Sequence, residues 1–478
     1  MQTLPALIEA ADPAATAVVE AESGQAHTYG ALGETVTALA AKLSALGVER
    51  GSRVALVLPD GMDFVFFLLA VTTLGATAAP LNPAYTADEH RLYLDDLEPD
   101  VLLVPAGEQP AAREAAGETR IIDVANRTVD GPTRSDFDRA LPDDVALLLH
   151  TSGTTSRPKQ VPLLQRNLAT SAANIAKFYE LSPPDVSYCA MPLFHVHGLV
   201  ASTLGAFAGG GSVVVPRRFA PKGFWEQARA HGVTWFSAGP TLQTMMLERI
   251  DAGGPPQTLR FVRTCSSALT PALMARLEEA LGAPVVEAYG MTEASHQMTS
   301  NPLPPGERKP GSVGTSAGAD IRIVDGEVQI RGLGVTPGYL NNPEANAESF
   351  VDGWFRTGDA GEIDTDGYLR LTGRIKEMIL RGGENISPYE IEGVLLTHPA
   401  VGDAVCFGIP DEKYGERVGA AIQLTGEADE KELLVHCRER LAAFKIPETV
   451  YLLEAIPRTA TGKVQRRRMA AMLADEGS

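Results

Sequence analysis

The sequence predicts an α/β protein: a large N-terminal domain of parallel α/β subdomains with a small β-barrel-like subdomain, followed by a small α+β C-terminal domain. Three observations carry this expectation. Runs such as VALVLP (54–59), VLLVP (101–105), VALLLH (145–150) and SVVVP (212–216) are almost wholly apolar and alternate with helical patterns over 31–46 and 84–97. Near-continuous apolar strands separated by helices belong in a parallel sheet covered on both faces. Beyond about residue 310 the texture changes to GADIRIVDGEVQIRG and GWFRTGDAGEIDTDGYLRLTGR, short alternating strands with Gly and Asp-Gly turns that suggest an antiparallel sheet or small barrel. After Arg374, helical patterns over 389–396 and 429–444 stand among short strands, which sets the expected domains at 1–375 and 376–478. A chain of 478 residues is too long for one ordinary core, so two or three domains are expected in any case. With no repeat and no low-complexity linker, they should join tightly.

Composition narrows the function classes. Lys and Arg number 41 against 60 Asp and Glu, a formal charge of −19, which argues against an extended cationic surface for nucleic acid or anionic lipid. A polyanionic substrate therefore needs a local basic site. Cys189, Cys265, Cys406 and Cys437 are scattered, with no CxxC pair and no histidine at zinc spacing, as in a reduced cytoplasmic protein. The start, MQTLPALIEAADPAAT, lacks the basic and apolar regions of a signal peptide. One run, FVFFLLAVTTLGATAAPL (64–81), has 18 residues without a charge, the minimum for a membrane span. Its Gly75, Pro80 and threonines instead predict a buried helix running into a short strand.

The stretch LLHTSGTTSRPKQVPL (148–163) has the outline of a phosphate-binding loop, since a strand leads into small residues and ends in a lysine. It departs from the Walker pattern, because no glycine precedes Lys159. The chemistry is similar all the same: Gly153 lets the backbone turn, the hydroxyls can donate to phosphate oxygens, and Lys159 adds a point charge. Taken singly, each motif has a plain structural reading. This loop could be a turn, YGMTE a buried tyrosine with a capping threonine, Asp359 a turn residue and Lys463 a solvated lysine.

Five strings nevertheless occur in order: TSGTTSRPK, EAYGMTEA (287–294), GWFRTGD (353–359), GRIKEMILRGGENISPYEIE (373–392) and PRTATGK (457–463). Together, over essentially the whole chain, they resemble the AMP-forming acid-CoA ligase (acyl-CoA synthetase) and adenylate-forming enzyme superfamily. That resemblance implies a carboxylic acid, ATP and coenzyme A as substrates, with Mg²⁺ as cofactor. The acid would attack the α-phosphate to give an acyl-adenylate and pyrophosphate, and the thiol would then displace AMP. It assigns Thr151, Ser152, Gly153, Thr154, Thr155 and Lys159 to the β- and γ-phosphates. It places Ser267, Ala268, Glu287, Ala288 and Gly290 around the nucleotide, Tyr289 against adenine, Thr292 on the α-phosphate and Glu293 on the metal. Asp359 and Arg374 would hold the ribose hydroxyls. Lys463 would be the catalytic lysine, carried by a mobile small domain hinged at Lys376, with Gly382, Gly383 and Glu384 lining the coenzyme A channel in the second step. The cluster Arg466 to Arg468 reads as a basic solvated end, with coenzyme A phosphates as the alternative.

For the acid, PLFHVHG (192–198), TWFSAGPTL (234–242) and RTCSSALTP (263–271) should line the pocket by analogy. His195, His197, Ser266 and His296, with Arg263 nearby, form a polar set suited to a second carboxylate; the resemblance also gives His195 a competing role as a gate to the thiol tunnel. Long stretches resemble the oxalate-CoA ligase group in particular. Oxalate or another small acid is therefore the expected substrate, with a medium- or long-chain acid, an aryl (cinnamate-type) acid, or a free-standing adenylation enzyme loading a carrier protein as alternatives. Monomer and homodimer both stay open. Gln160 departs from the Gly or Ala that the family normally has after the lysine. It is expected to point to solvent, with a strained backbone if the position needs positive φ, and with a weakened grip on pyrophosphate.

Overall fold

The computed structural model describes residues 2–151, 158–458, 464 and 466–476. Among them the strands form four sheets. In the seven-stranded sheet, Arg53–Leu56 pairs in parallel with Thr77–Pro80 and with Val101–Pro105. At one edge of this sheet Val145–Thr151 and Lys159–Leu164 form an antiparallel hairpin, with Thr151 opposite Lys159 and His150 opposite Gln160.

The nine-stranded sheet has a parallel centre, Ser212–Val215, Val186–Tyr188, Trp235–Ala238, Phe261–Thr264 and Val285–Met291, from which His296–Ser300 turns back antiparallel. One continuous core takes residues from both sheets and from helices Met62–Thr73 and Gln165–Phe178. In Met62–Thr73 every residue but Asp63 is buried, and the chain then enters the buried strand Thr77–Pro80. The long uncharged run is thus interior, as a helix apolar on all sides must be. No helix among the described residues is long and apolar enough to cross a membrane.

The Gly- and Asp-rich region forms a five-stranded sheet in which Asp320–Val324, Glu327–Arg331, Phe350–Val351, Trp354–Ile363 and Leu369–Arg374 pair antiparallel. A separate C-terminal domain follows, with a mixed sheet whose longest pair is Val401–Asp411 with Gly415–Leu424, covered by helices Pro388–Leu395 and Glu430–Arg438, and with cores of its own. The second of these helices is shorter than its pattern predicts. It stops at Arg438, and the chain instead tucks Leu441 and Ile446 against the domain core through the 3₁₀ turn Ala443–Lys445. The N-terminal part passes into this domain through Leu369–Arg374 and the 3₁₀ turn Ile375–Glu377.

Candidate active site

Strand Val285–Met291 ends in the 3₁₀ turn Thr292–Ala294, and the chain returns as His296–Ser300 with Met291 opposite His296. Ser295 and His296 take φ of 51° and 99° to close this turn. At Gly290 a Cβ would lie 1.9 Å from the His296 carbonyl oxygen, so only glycine fits. Tyr289, Thr292, Glu293 and His296 are thereby carried on one hairpin.

At the nucleotide end, Asp359 and Arg374 face each other in antiparallel register, and Arg374 Nε donates to Asp359 Oδ1 at 2.8 Å. The Tyr289 hydroxyl donates to the other oxygen, Oδ2. Burial raises the Tyr289 phenol well above its ordinary range, which keeps it a donor. The expected ribose pair is therefore brought together, and it gains a tyrosine partner that sequence reasoning missed. Glu287 is buried alongside: Oε1 accepts from the Leu269 amide at 3.1 Å, Oε2 has no partner, and burial pushes the carboxyl up to about 7. Ala288 is buried, whereas Ser267 and Ala268 are exposed at the cleft.

At the phosphate end, the Lys159 ammonium lies 4.4 Å from the centre of the Tyr339 ring, and the Tyr339 hydroxyl donates to Glu293 Oε1 at 2.9 Å. Burial, and then the positive charge of Lys376, draw the Lys159 ammonium below its ordinary range. Thr292 is half-buried and Glu293 buried. Ser152, Gly153, Thr154, Thr155 and Lys463 lie outside the described residues.

Gln160 corrects its expectation. It is buried, its φ is not positive, and its Nε2 donates to the Asp96 carbonyl at 2.5 Å and to Asp96 Oδ2 at 2.7 Å. The same Oδ2 lies 3.0 Å from His150 Nε2. The register that pairs Gln160 with His150 turns both side chains toward Asp96, so the hairpin stem is tied to helix Ala87–Leu97. Arg466 is likewise neither solvated nor free for a coenzyme phosphate: it is buried, ion-paired to Glu392, with its Nε 3.2 Å from Glu377. Gly382 and Gly383, with φ of 59° and 91°, make the exposed turn that leads into Glu384. Lys376 is exposed within its 3₁₀ turn.

The residues expected to line the acid pocket form a largely buried polar chain. His197, at the start of the π-helix His197–Leu204, bonds Ser266 Oγ through Nδ1 at 2.9 Å and Ser237 Oγ through Nε2 at 2.7 Å. Arg263 Nη1 donates to Ser237 Oγ at 2.9 Å and lies 3.1 Å from His296 Nε2, and Arg263 Nε donates to the Tyr179 hydroxyl at 2.9 Å. The two imidazole rings are 5.0 Å apart. Burial first, then the Arg263 charge, holds both well below the ordinary histidine range, so both are neutral at physiological pH. Arg263 itself is fully buried, with Nη2 unpartnered and no ion pair to any described residue. Ser266, at φ 79°, is exposed, so this chain reaches the protein surface there. His195 sits two residues before His197, its ring tilted against Phe194. Ser237 lies in the stretch 234–242 expected to line the pocket, whereas Tyr179 escaped sequence reasoning, because a single hydroxyl on a distant element carries no spacing signal.

A parallel α/β domain that carries a carboxylate–guanidinium pair, a lysine and a glutamate, joined to a separate α+β domain, fits a two-domain nucleotide-dependent ligase. The chain belongs to the AMP-binding enzyme family: residues 8–340 match that family and residues 390–463 match the AMP-binding enzyme C-terminal domain. It is 46% identical to an oxalate–CoA ligase of Arabidopsis thaliana over 93% of each chain, and 45% identical to one of Saccharomyces cerevisiae over 89% of this chain and 88% of that one. The fold is similar to that of ATP-bound MatB from Rhodopseudomonas palustris, with a TM-score of 0.91 at 28% identity over all of both chains. The protein is thus an acid–thiol ligase that uses ATP, coenzyme A and a carboxylic acid.

Proposed function

We propose that the protein is an oxalate-CoA ligase working through an acyl-adenylate. The observation that carries this reading is Arg263, buried among neutral histidines and hydroxyls without a carboxylate partner. A guanidinium does not shed its proton, and burying it unpaired costs several kcal/mol. A small dianion is the ligand that balances it. One carboxylate of oxalate would lie toward Ser266, His197 and His296 under the Arg263 charge, leaving the other to attack the α-phosphate. The two similar oxalate ligases support the same acid.

In the first step anion meets anion, so positioning and charge neutralisation dominate. Lys159, Thr151 and the loop 152–155 would hold the β- and γ-phosphates, Thr292 the α-phosphate, and Asp359 with Arg374 the ribose, while Ser267, Ala268, Glu287, Ala288, Tyr289 and Gly290 would surround the nucleotide. Glu293 fits a magnesium site: its carboxylate is buried and oriented by the Tyr339 hydroxyl. Mg²⁺ is commonly held by one or two carboxylates together with substrate phosphates and water. Bound there, it would neutralise phosphate charge.

Lys463 would reach the reacting oxygens, after which rotation at Lys376, between domains 1–375 and 376–478, would bring Gly382, Gly383 and Glu384 to the pantetheine, with His195 gating the thiol path. Four free, buried cysteines suit a cytoplasmic setting. The test is pyrophosphate release with oxalate, malonate, cinnamate and octanoate, each with and without coenzyme A. Oxalate should give the highest kcat/KM, with thioester formed only when coenzyme A is present. Release with octanoate and none with oxalate would sink the diacid reading, and product on a carrier protein but not on coenzyme A would sink the acceptor.

A further inference from the structure

Tyr339 belongs to none of the motifs, yet it touches both charged groups at the phosphate end. Its segment is laced between the two elements that carry them. The Thr336 amide donates to the Glu293 carbonyl at 2.7 Å, Thr336 Oγ1 donates to the Pro162 carbonyl at 2.6 Å, and the Leu340 amide donates to the Gln160 carbonyl at 3.0 Å. Asn346 then fixes the tyrosine backbone from both sides, its Oδ1 accepting from the Tyr339 amide at 2.7 Å and its Nδ2 donating to the Tyr339 carbonyl at 2.8 Å. The ring is buried, and burial holds the phenol above its usual range as a donor.

A half-buried lysine and a buried glutamate that feel each other's charge attract strongly and tend to close on one another. Among the described residues Lys159 and Glu293 form no salt bridge with each other. The ammonium instead rests on the Tyr339 ring, 4.4 Å from its centre, while Glu293 Oε1 is engaged by the hydroxyl at 2.9 Å. We propose that Tyr339 is a positioning residue that acts as a spacer: its ring seats the Lys159 ammonium and its hydroxyl fixes the Glu293 carboxylate, so the two charges stay apart and open to a metal-bound triphosphate. This rests on the roles given to Lys159 and Glu293 in the proposed function.

Two variants separate the two contacts. Tyr339→Phe keeps the ring and removes the hydroxyl, whereas Tyr339→Leu removes both and lets the charges meet. Titration calorimetry of the full chain with ATP, once with Mg²⁺ and once with EDTA, reads them without any acid. In Mg²⁺, Tyr339→Phe should weaken ATP binding about tenfold, the worth of a hydrogen bond to a charged group. In EDTA it should stay within about twofold of wild type, since the hydroxyl acts through the metal ligand. Tyr339→Leu should weaken binding about fivefold in EDTA and by more than the tenfold of Tyr339→Phe in Mg²⁺, because the seat of the ammonium is also lost. Both variants should keep the wild-type KM for the acid.

Equal binding by Tyr339→Phe and wild type in Mg²⁺ would overturn the spacer, as would an equal loss with and without the metal. A fall in thermal midpoint with unchanged ATP binding would reduce Tyr339 to a packing residue and overturn it too. Absence of ATP binding by the wild type would instead remove the assignment of this end of the cleft, and the spacer with it. The two failures are thereby distinct.

Discussion

At the proposed nucleotide end Asp359 holds Arg374 and Tyr289, whereas at the proposed acid end Arg263, which is fully buried, holds only uncharged groups. One end balances its charge within the chain; the other leaves a cation for the ligand to balance. Glu287 marks the boundary between these strategies, since it too is buried without a counter-ion. A carboxyl can meet that cost by taking up a proton, which burial favours in Glu287 by pushing its pKa up to about 7; a guanidinium has no such escape. On the proposed reading the Asp359 group is complete before any substrate arrives, while the charge of Arg263 would be balanced by an anionic acid.

The hardest test of this contrast is Arg263→Met. Loss of the buried cation should lower kcat/KM for oxalate by about 100- to 1,000-fold, the range for truncating one partner of a buried charge pair. The thermal midpoint should hold or rise, because an apolar side chain replaces an unbalanced charge. Retained oxalate turnover, or a collapse in stability, would break the comparison.

Glu287→Gln probes the boundary. The folded pKa of about 7 lies above the reference value of 4.5, so the folded chain binds the proton more tightly than the unfolded one. Wild-type stability then falls as pH rises from about 4.5 to about 7, and the glutamine variant should escape this loss. Its stability relative to wild type should grow by on the order of 2 kcal/mol between pH 5 and pH 8, measured by chemical denaturation. A pH-independent difference would mean that Glu287 carries its charge when folded.

Asp359→Asn should raise the KM for ATP about tenfold by removing the charge that holds Arg374 and Tyr289, with little change in the KM for the acid. An equal effect on both substrates would erase the division into two ends. The smallest effect belongs to Gln160→Gly. With its two bonds to Asp96 gone, the hairpin stem should lose about 1 kcal/mol and the KM for ATP should rise about threefold. A glycine variant that binds ATP more tightly than wild type would restore the expectation that this glutamine weakens the grip on pyrophosphate.

Elements whose signal is local were readable in the sequence. The apolar runs at 101–105 and 212–216 are the strands Val101–Pro105 and Ser212–Val215, and the pattern over 31–46 is the helix Tyr29–Ala45. Asp359, Arg374 and Glu293 lie inside short strings whose order along the chain carries meaning. Gln160 was misjudged because its partner, Asp96, is 64 residues earlier, on a helix that no motif touches. The Tyr339–Glu293 bond spans 46 residues and the Arg263–Tyr179 bond 84, so neither leaves a trace in local spacing. The unbalanced charge of Arg263 was equally hidden, since a lone arginine in a strand says nothing about what surrounds it.

The hairpin that closes through Gly290 would work as a ruler shared by the two proposed substrate sites. Glu293 sits in its turn and His296 at the start of its return strand, and the contact of Gly290 with the His296 carbonyl leaves no slack between them. Any attempt to enlarge the acid pocket by rebuilding this hairpin would displace Glu293 as well. Strands Trp235–Ala238 and Phe261–Thr264, which carry Ser237 and Arg263 but none of the nucleotide-end charges, offer the route by which substrate range can be redesigned while the ATP chemistry stays intact.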